Sequence, residues 1–273
     1  MVRARKRFGQ NFLHDGQVLA QIFAAVAPKP DDWLFEIGPG QGALTEQFYG
    51  YCARLQAVEI DRDLVSMLRA RYEDLELVSA DILKVDLESL LAPDTAQGQR
   101  LWRVVGNLPY NLSTPLLGRL LQHRARIADM HFMLQKEVAQ RLAAQPHSKA
   151  WGRLSVMIQY HCDVELLFDV APESFTPIPA VQSSVVRLTP RQQLAGAQGS
   201  AVALEKVVAL AFQQRRKRLS NALKSLGIDW NHLPIDPGAR PDQLGVADYL
   251  VIAEHVLAQP IAPPNDNDPK GRQ

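Results

Sequence analysis

Short apolar runs recur along this chain, and most of them lead into a segment of helical period. Trp33–Ile37, Leu55–Val58, Leu75–Val78, Leu101–Gly106, Met130–Leu134 and Val185–Leu188 have the length and composition of buried strands. An apolar-rich helix is predicted over residues 16–27, stopped by Pro28-Lys29-Pro30. Further helical patterns begin at Ala43 and near Lys136. Strands alternating with helices predict a mainly parallel sheet covered on both faces. Past residue 190 the pattern changes. Residues 190–200, with Gln, Ala and Gly, form a linker; 201–226 is strongly helical, and a second helix spans about 247–258. The predicted division is therefore a domain over 1–189, a linker over 190–200, a small helical domain over 201–259, and a disordered tail over 260–273, rich in Pro, Asn and Asp.

Chemistry concentrates where strands end. Asn107-Leu108-Pro109-Tyr110 follows the run that closes at Gly106. In open α/β sheets, ligands bind at the carboxyl ends of strands. Asn supplies an acceptor, Pro109 stiffens the loop and restricts Leu108 to extended conformations, and Tyr110 offers a flat ring for stacking. Two outward carbonyl acceptors beside a stacking ring suit an exocyclic amino group on a planar heterocycle. A strand that ends in a Pro turn with Tyr as a lid on the core gives the same four residues.

Earlier in the chain, Trp33–Ile37 runs into Gly38-Pro39-Gly40-Gln41-Gly42 and then a helix. Glycines at alternate positions let backbone approach a ligand closely. The next strand ends in Glu59, a position suited to accepting hydrogen bonds from ribose hydroxyls, with Ile60 beside it. The glycine spacing departs from the dinucleotide fingerprint, and Glu36 sits inside the preceding strand. The pattern resembles class I S-adenosylmethionine-dependent methyltransferases. After the third strand, Asp81 either accepts the adenine amino group while Ile82 packs the ring, or caps a helix.

Composition narrows the class. The hydrophobic content of 47% is ample for a core, and the net charge of +1 means that any nucleic-acid contact must come from local patches. Two such patches exist: Arg5, Lys6 and Arg7 near the start, and Arg215-Arg216-Lys217-Arg218 within the predicted helix over 201–226. Each is either a solvated charge run or a phosphate contact. Cys52 and Cys162 lack disulfide-scaffold or zinc spacing, and the seven histidines lack metal-ligand spacing. No metal is expected. No run approaches the ~18 apolar residues needed to span a bilayer. These features predict a soluble, cytoplasmic protein without a membrane partner.

Phe8-Gly9-Gln10-Asn11-Phe12-Leu13, Glu36-Ile37-Gly38-Pro39-Gly40, Glu59-Ile60-Asp61, Asn107-Leu108-Pro109-Tyr110-Asn111, Leu134-Gln135-Lys136-Glu137-Val138 and Phe175 through Ser183 occur in that order. As a set they resemble the ribosomal RNA adenine dimethyltransferase family. The blocks over 128–137 and 152–157 are similar to its bacterial small-subunit (16S) branch, the kasugamycin-sensitivity type. The resemblance covers about residues 3–257. It implies a class I, Rossmann-like fold with a mainly parallel seven-stranded sheet and a small C-terminal helical domain. It implies S-adenosylmethionine as cofactor, held by Asn11, Leu13, Gly38, Glu59, Asp81 and Asn107; Gly40, Ile60 and Ile82 complete the expected cofactor set. The implied products are two adjacent adenines near the 3′ end of 16S rRNA, each dimethylated, within 30S-like particles.

That chemistry agrees with the residues. An adenine amino nitrogen is a weak nucleophile, so the site must position it and localise its lone pair. Asn107 and the Leu108 carbonyl are the expected acceptors, and no strong base is required. A base splayed from its stack would sit between Tyr110 and Phe175, the latter held extended by Pro177 and Pro179; alternatively Phe175 is an ordinary core aromatic. Three other readings share these motifs: a macrolide-resistance-type enzyme acting on large-subunit rRNA, a DNA adenine methyltransferase, and a non-catalytic RNA-binding assembly factor on the same fold. The 128–157 blocks argue against the first, a missing target-recognition insert against the second, and the intact glycine loop, Glu59 and Asn107–Tyr110 against the third. A monomer is expected.

Overall fold

A computed structural model describes residues 5, 9–92, 100–109 and 112–259. Lys6, Arg7, Tyr110 and the 260–273 tail lie outside the described residues. The chain forms two compact units, Met1–Ala144 with Ile158–Leu194, and Gln145–Met157 with Ala195–Gln273.

The first unit contains the sheet. Its strands are β1 (Phe12–Leu13), β2 (Trp33–Ile37), β3 (Arg54–Glu59), β4 (Glu76–Ser79), β5 (Trp102–Asn107), β6 (Ile127–Gln135), β7 (Cys162–Val170), β8 (Phe175–Thr176) and β9 (Ser183–Pro190). Helices α1 (Gly16–Val26), α2 (Ala43–Phe48), α3 (Arg62–Arg71), α4 (Leu87–Leu90), α5 (Ser113–Gln122) and α6 (Lys136–Leu142) alternate with them. α7 (Arg153–His161) precedes β7. Seven strands form one sheet in the order β4-β3-β2-β5-β6-β9-β7. The pairs among β4, β3, β2, β5 and β6 are parallel, while β9 runs antiparallel to both β6 and β7. The mainly parallel sheet matches the α/β fold expected from the alternating pattern.

All five residues of β2 are buried, as a central strand covered on both faces requires. β7 has no clear signature in the sequence because it is a bulged edge strand whose residues alternate irregularly between buried and exposed. β1 and β8 form a separate antiparallel pair with Phe12 opposite Thr176 and Leu13 opposite Phe175. The Thr176–Pro177 peptide bond is cis. The pairing continues through a His14 amide donating to the Ser174 carbonyl and the Ser174 hydroxyl donating to Asp15. The other Asp15 oxygen caps α1 through the Gln17 and Val18 amides. The Ser174 hydrogen bond, with those amides, holds the Asp15 carboxyl below its ordinary range.

The amino ends of the central strands are clamped by Arg103. Its guanidinium donates to Asp129 (2.7 Å), to Asp32 (2.9 Å) and to the Val26 carbonyl at the end of α1 (2.6 Å). One cation thereby ties β5, β6, the approach to β2 and the α1 terminus together.

The second unit holds α8 (Ser200–Gln213), α9 (Leu219–Ala222) and α10 (Val246–Ala258). Buried Leu204, Val207 and Val208 of α8 and Tyr249, Ile252 and Ala253 of α10 supply its core. Segment 145–157, which the sequence pattern groups with the first domain, belongs to this unit. Buried Trp151 donates its indole N–H to the Leu244 carbonyl at 3.0 Å. Residues 201–226 are largely helical as expected, but the placing of Arg215–Arg218 on a helix is corrected: α8 ends at Gln213, and Arg215–Arg218 occupy a turn before α9. There Arg215 donates to the Ser148 carbonyl and pairs with Asp242, while the Leu219 and Ser220 amides bond to the Ala239 and Pro237 carbonyls. These tertiary bonds replace the helical ones.

Replacing Arg103 with Met should destabilise the first unit by about 3 kcal/mol, because Asp32 and Asp129 would lose the cation that faces both of them. Urea unfolding of the two proteins measures the difference; equal stabilities would show that the clamp contributes nothing.

Candidate active site

The chain runs β2, β3, β4 outward from the centre and then returns to place β5 on the other side of β2. The connections that follow these two neighbouring parallel strands run to opposite sides at this reversal, and a crevice opens outside their carboxyl ends. Gly106 makes the close approach possible. A Cβ there would lie 2.7 Å from the Ile37 carbonyl oxygen, a backbone atom that cannot yield. Leu108 continues the contact to the other side, its amide donating to the Met133 carbonyl at 3.1 Å.

A cleft occupies this reversal. Gln10–Leu13, Glu36–Gly40, Glu59–Ile60, Asp81–Ile82 and Asn107–Pro109 contribute to its wall. The structure thus gathers around one cleft every residue expected to hold the cofactor. The Gly38–Gly42 loop turns over the end of β2 with positive φ at all three glycines. At Gly40 the need is twofold: φ is +58°, and a Cβ would press within 3.1 Å of the Phe12 ring.

Glu59 is buried at 4% exposure. One of its carboxylate oxygens accepts from the Gly40 amide at 3.0 Å and the other from the Asp61 amide at 2.9 Å. Burial pushes its pKa up, opposed by these amides. Glu36 lies deeper, at 1% exposure, and accepts the Thr45 hydroxyl at 2.7 Å. Burial raises its pKa to about 7, opposed by the Thr45 hydroxyl and reinforced by the nearby Glu59 charge. Three acidic residues and no Lys, Arg or His line the cleft among the described residues. That field suits a ligand carrying positive charge.

Asp81 caps a turn and not a helix. Oδ1 caps the following turn by accepting the Leu83 amide at 2.9 Å, while Oδ2 meets, among the described residues, only exposed Lys84, at 3.9 Å. Oδ2 is left for a ligand donor, with buried Ile82 beside it.

Asn107 is oriented by a residue 96 positions away: its Nδ2 donates to the Asn11 carbonyl at 2.9 Å. That carbonyl can only accept, so the amide group is fixed with Oδ1 as its remaining acceptor. No donor among the described residues meets Oδ1.

Two expectations are corrected. Phe175 is 1% exposed and lies in the hydrophobic cluster with Leu13, Leu19 and Met133. It therefore occupies the position of a core aromatic and presents no face to a base in this structure. Arg5, expected on phosphate, pairs with Asp61 at 3.2 Å and with Asp63, and its amide donates to Gln10. Sequence reasoning also missed Glu36 as a wall of the cleft and Gln10, whose amide reaches Asp61 at 3.3 Å. An acid inside an apolar strand was the available signal for Glu36; nothing local marks Gln10.

Residues 1–256 match the sequence profile of the family described as ribosomal RNA adenine dimethylase. The chain belongs to the ribosomal RNA adenine dimethylase family. Curated relatives include the ribosomal RNA small subunit methyltransferases A of Marinomonas sp., 49% identical over 93% of this chain and 96% of that protein, and of Pseudomonas aeruginosa, 49% identical over 94% and 96%. The fold is shared with solved structures. A dimethyladenosine transferase from Plasmodium falciparum superposes with a TM-score of 0.72 at 23% identity, covering 88% of this chain and 95% of that one. The 23S rRNA methyltransferase ErmE gives 0.69 at 24%, covering 90% and 99%. As a member of this family the chain is an rRNA adenine dimethyltransferase, a class I methyltransferase in fold. No group of three or more potential metal ligands occurs among the described residues, and no helix there is long and apolar enough to cross a membrane.

The buried acid yields a pH prediction. Glu36 binds its proton more tightly folded (about 7) than unfolded (4.5). Between these values the native state holds more protons, so its contribution to stability falls as pH rises, by about 3 kcal/mol in all. Glu36→Gln keeps the hydrogen bond without the charge. The variant should gain stability relative to the parent between pH 5 and pH 8 in urea unfolding. A difference that stays constant with pH would place the titration elsewhere.

Proposed function

We propose that this chain dimethylates the exocyclic amino groups of two adjacent adenines near the 3′ end of 16S rRNA, with S-adenosylmethionine as the methyl donor. Its partner is the 16S rRNA within 30S-like particles in the cytoplasm, where the chain acts as a monomer with a role in ribosome assembly. The observation that carries the reading is Asn107: an amide fixed by Asn11, with its carbonyl left as an acceptor at the mouth of an acidic cleft.

The residues fit the cofactor. Glu59 at the end of β3 is placed for ribose hydroxyls, Asp81 Oδ2 for the adenine amino group with Ile82 against the ring, and the glycine loop for the methionine end. The cofactor supplies an electrophilic methyl carbon on a positively charged sulfur. Asn107 Oδ1 and the Leu108 carbonyl hold the target amino hydrogens, favour a pyramidal nitrogen and stabilise the positive charge that develops there. The alkylated nitrogen is acidic and gives up its proton without a strong base. Tyr110 stacks on the splayed base. Arg216, Lys217 and Arg218, exposed on the turn after α8, are left to meet phosphate, whereas Arg215 is engaged within its own unit. The naming of the curated relatives favours the small subunit over the large-subunit alternative.

The discriminating experiment is transfer of labelled methyl groups to naked 16S rRNA, 30S-like particles and large subunits in parallel, with the modified nucleoside identified. Dimethyladenosine in the small-subunit particles is expected; label confined to large subunits would overturn the reading. Asn107→Ala should lower the single-turnover rate about 10²–10³-fold, by analogy with removal of an oxyanion-hole donor, with particle affinity retained. A rate that falls only in step with weaker particle binding would remove Asn107 from the chemistry. Tyr110→Phe should be far milder than Tyr110→Ala.

The basic turn carries a separate prediction. Replacing Arg216, Lys217 and Arg218 by Ala should flatten the salt dependence of particle binding by roughly 0.7–0.9 in log–log slope for each phosphate that is no longer neutralised. A parental slope would show that these side chains do not touch RNA phosphate.

A further inference from the structure

Arg119 lies on α5 and belongs to none of the motifs above, yet it reaches the turn that carries Asp81 and Ile82 of the cleft. Its Nη1 donates to the Ile82 carbonyl at 2.6 Å and its Nη2 to the Val85 carbonyl at 2.7 Å. These carbonyls belong to the short turn that Asp81 begins. The Asp81 carbonyl accepts the Lys84 and Val85 amides, and Asp81 Oδ1 accepts the Leu83 amide. The Leu83, Lys84 and Val85 amides are therefore engaged by Asp81. The Ile82 and Val85 carbonyls stand outside that network, and a guanidinium with paired donors in a rigid fork satisfies both at once.

The helix carrying this fork is itself fixed. Leu116, Leu117, Leu120 and Leu121 are buried, so α5 cannot roll without exposing them. At its start, Leu112 lines the same cleft and closes on the Pro109 carbonyl through its amide at 2.9 Å. One rigid helix thus begins at the Asn107–Pro109 motif and ends by gripping the Asp81–Val85 turn.

We propose that Arg119 is a positioning residue that fixes the Asp81–Ile82 turn and thereby sets the cleft's selectivity for a purine bearing an exocyclic amino group. The inference rests on the reading of the cleft as the S-adenosylmethionine site. Arg119 does not touch the ligand; it determines where Asp81 Oδ2 stands. Lysine at this position keeps the charge but is a compact point donor, without the planar fork that spans the two carbonyls.

The test compares binding of S-adenosylhomocysteine with that of its hypoxanthine counterpart, S-inosylhomocysteine, by calorimetry. The counterpart presents a carbonyl where adenine presents an amino group. The wild-type protein should prefer the adenine form by about tenfold to a hundredfold, the range of a hydrogen bond to a charged acceptor. Arg119→Gln should reduce that preference to within about threefold, and Arg119→Lys should fall between. In turnover, KM for the methyl donor should rise in both variants while kcat changes less. Folded variants that keep the full preference would overturn the role of Arg119, as would a wild-type protein that binds both ligands equally. If Arg119→Gln does not fold, Arg119→Lys decides by the same comparison. Failure of the wild-type protein to bind S-adenosylhomocysteine at all would instead overturn the reading of the cleft.

Discussion

At the reversal of strand order, β2 and β5 run side by side, and their ends stay close only because nothing projects from Gly106 toward the Ile37 carbonyl. Everything that gives the cleft its character is hung on this point. On one side the glycine loop turns over the end of β2. On the other, Asn107 leaves β5 with its amide aimed across the gap. A larger residue at 106 would push the two strand ends apart, and the acceptor and the loop would no longer share a common frame. The Arg103 clamp acts at the opposite ends of the same strands. The sheet is thus held at its amino edge and left open at its carboxyl edge.

The second constraint is carried by the N-terminal segment. It is not part of the main sheet, yet Gln10–Leu13 forms one wall of the cleft. Its position is fixed by contacts of different kinds: the Asn11 carbonyl on Asn107, the Phe12 ring over Gly40, Gln10 and Arg5 on Asp61, and the backbone pairing of β1 with β8. Arg5 illustrates how local charge misleads. Arg5, Lys6 and Arg7 near the start suggest a phosphate arm, but the Arg5 guanidinium meets the nearest carboxylates the fold supplies, and Asp61 and Asp63 become neighbours only once β3 and α3 have formed.

The central strands were legible in the sequence because burial on both faces demands continuous apolar runs, and Trp33–Ile37 and Met130–Leu134 are such runs. The cleft was legible for a related reason: strand ends followed by glycines, acids or Asn-x-Pro leave few roles open. Of the features that were not legible, three were hidden because a distant partner decides them. The helix predicted through Arg218 stops at Gln213 since tertiary carbonyls and Asp242 capture the residues beyond. An aromatic before Thr-Pro cannot declare whether it will stack or be buried; Phe175 is buried because β8 pairs with β1 and turns it into the core. Residues 145–157 leave the first unit because Trp151 finds its hydrogen-bond partner near Leu244.

The two-residue pairing of β1 with β8 has a mechanical meaning. Leu13 stands opposite Phe175, and the Ser174 hydroxyl holds the aspartate that starts α1. The wall of the cleft contributed by Gln10–Leu13 is therefore fastened to the segment that begins at Thr176 and leads to Ile178, 66% accessible, and an interior surface shares its anchor with an exterior one.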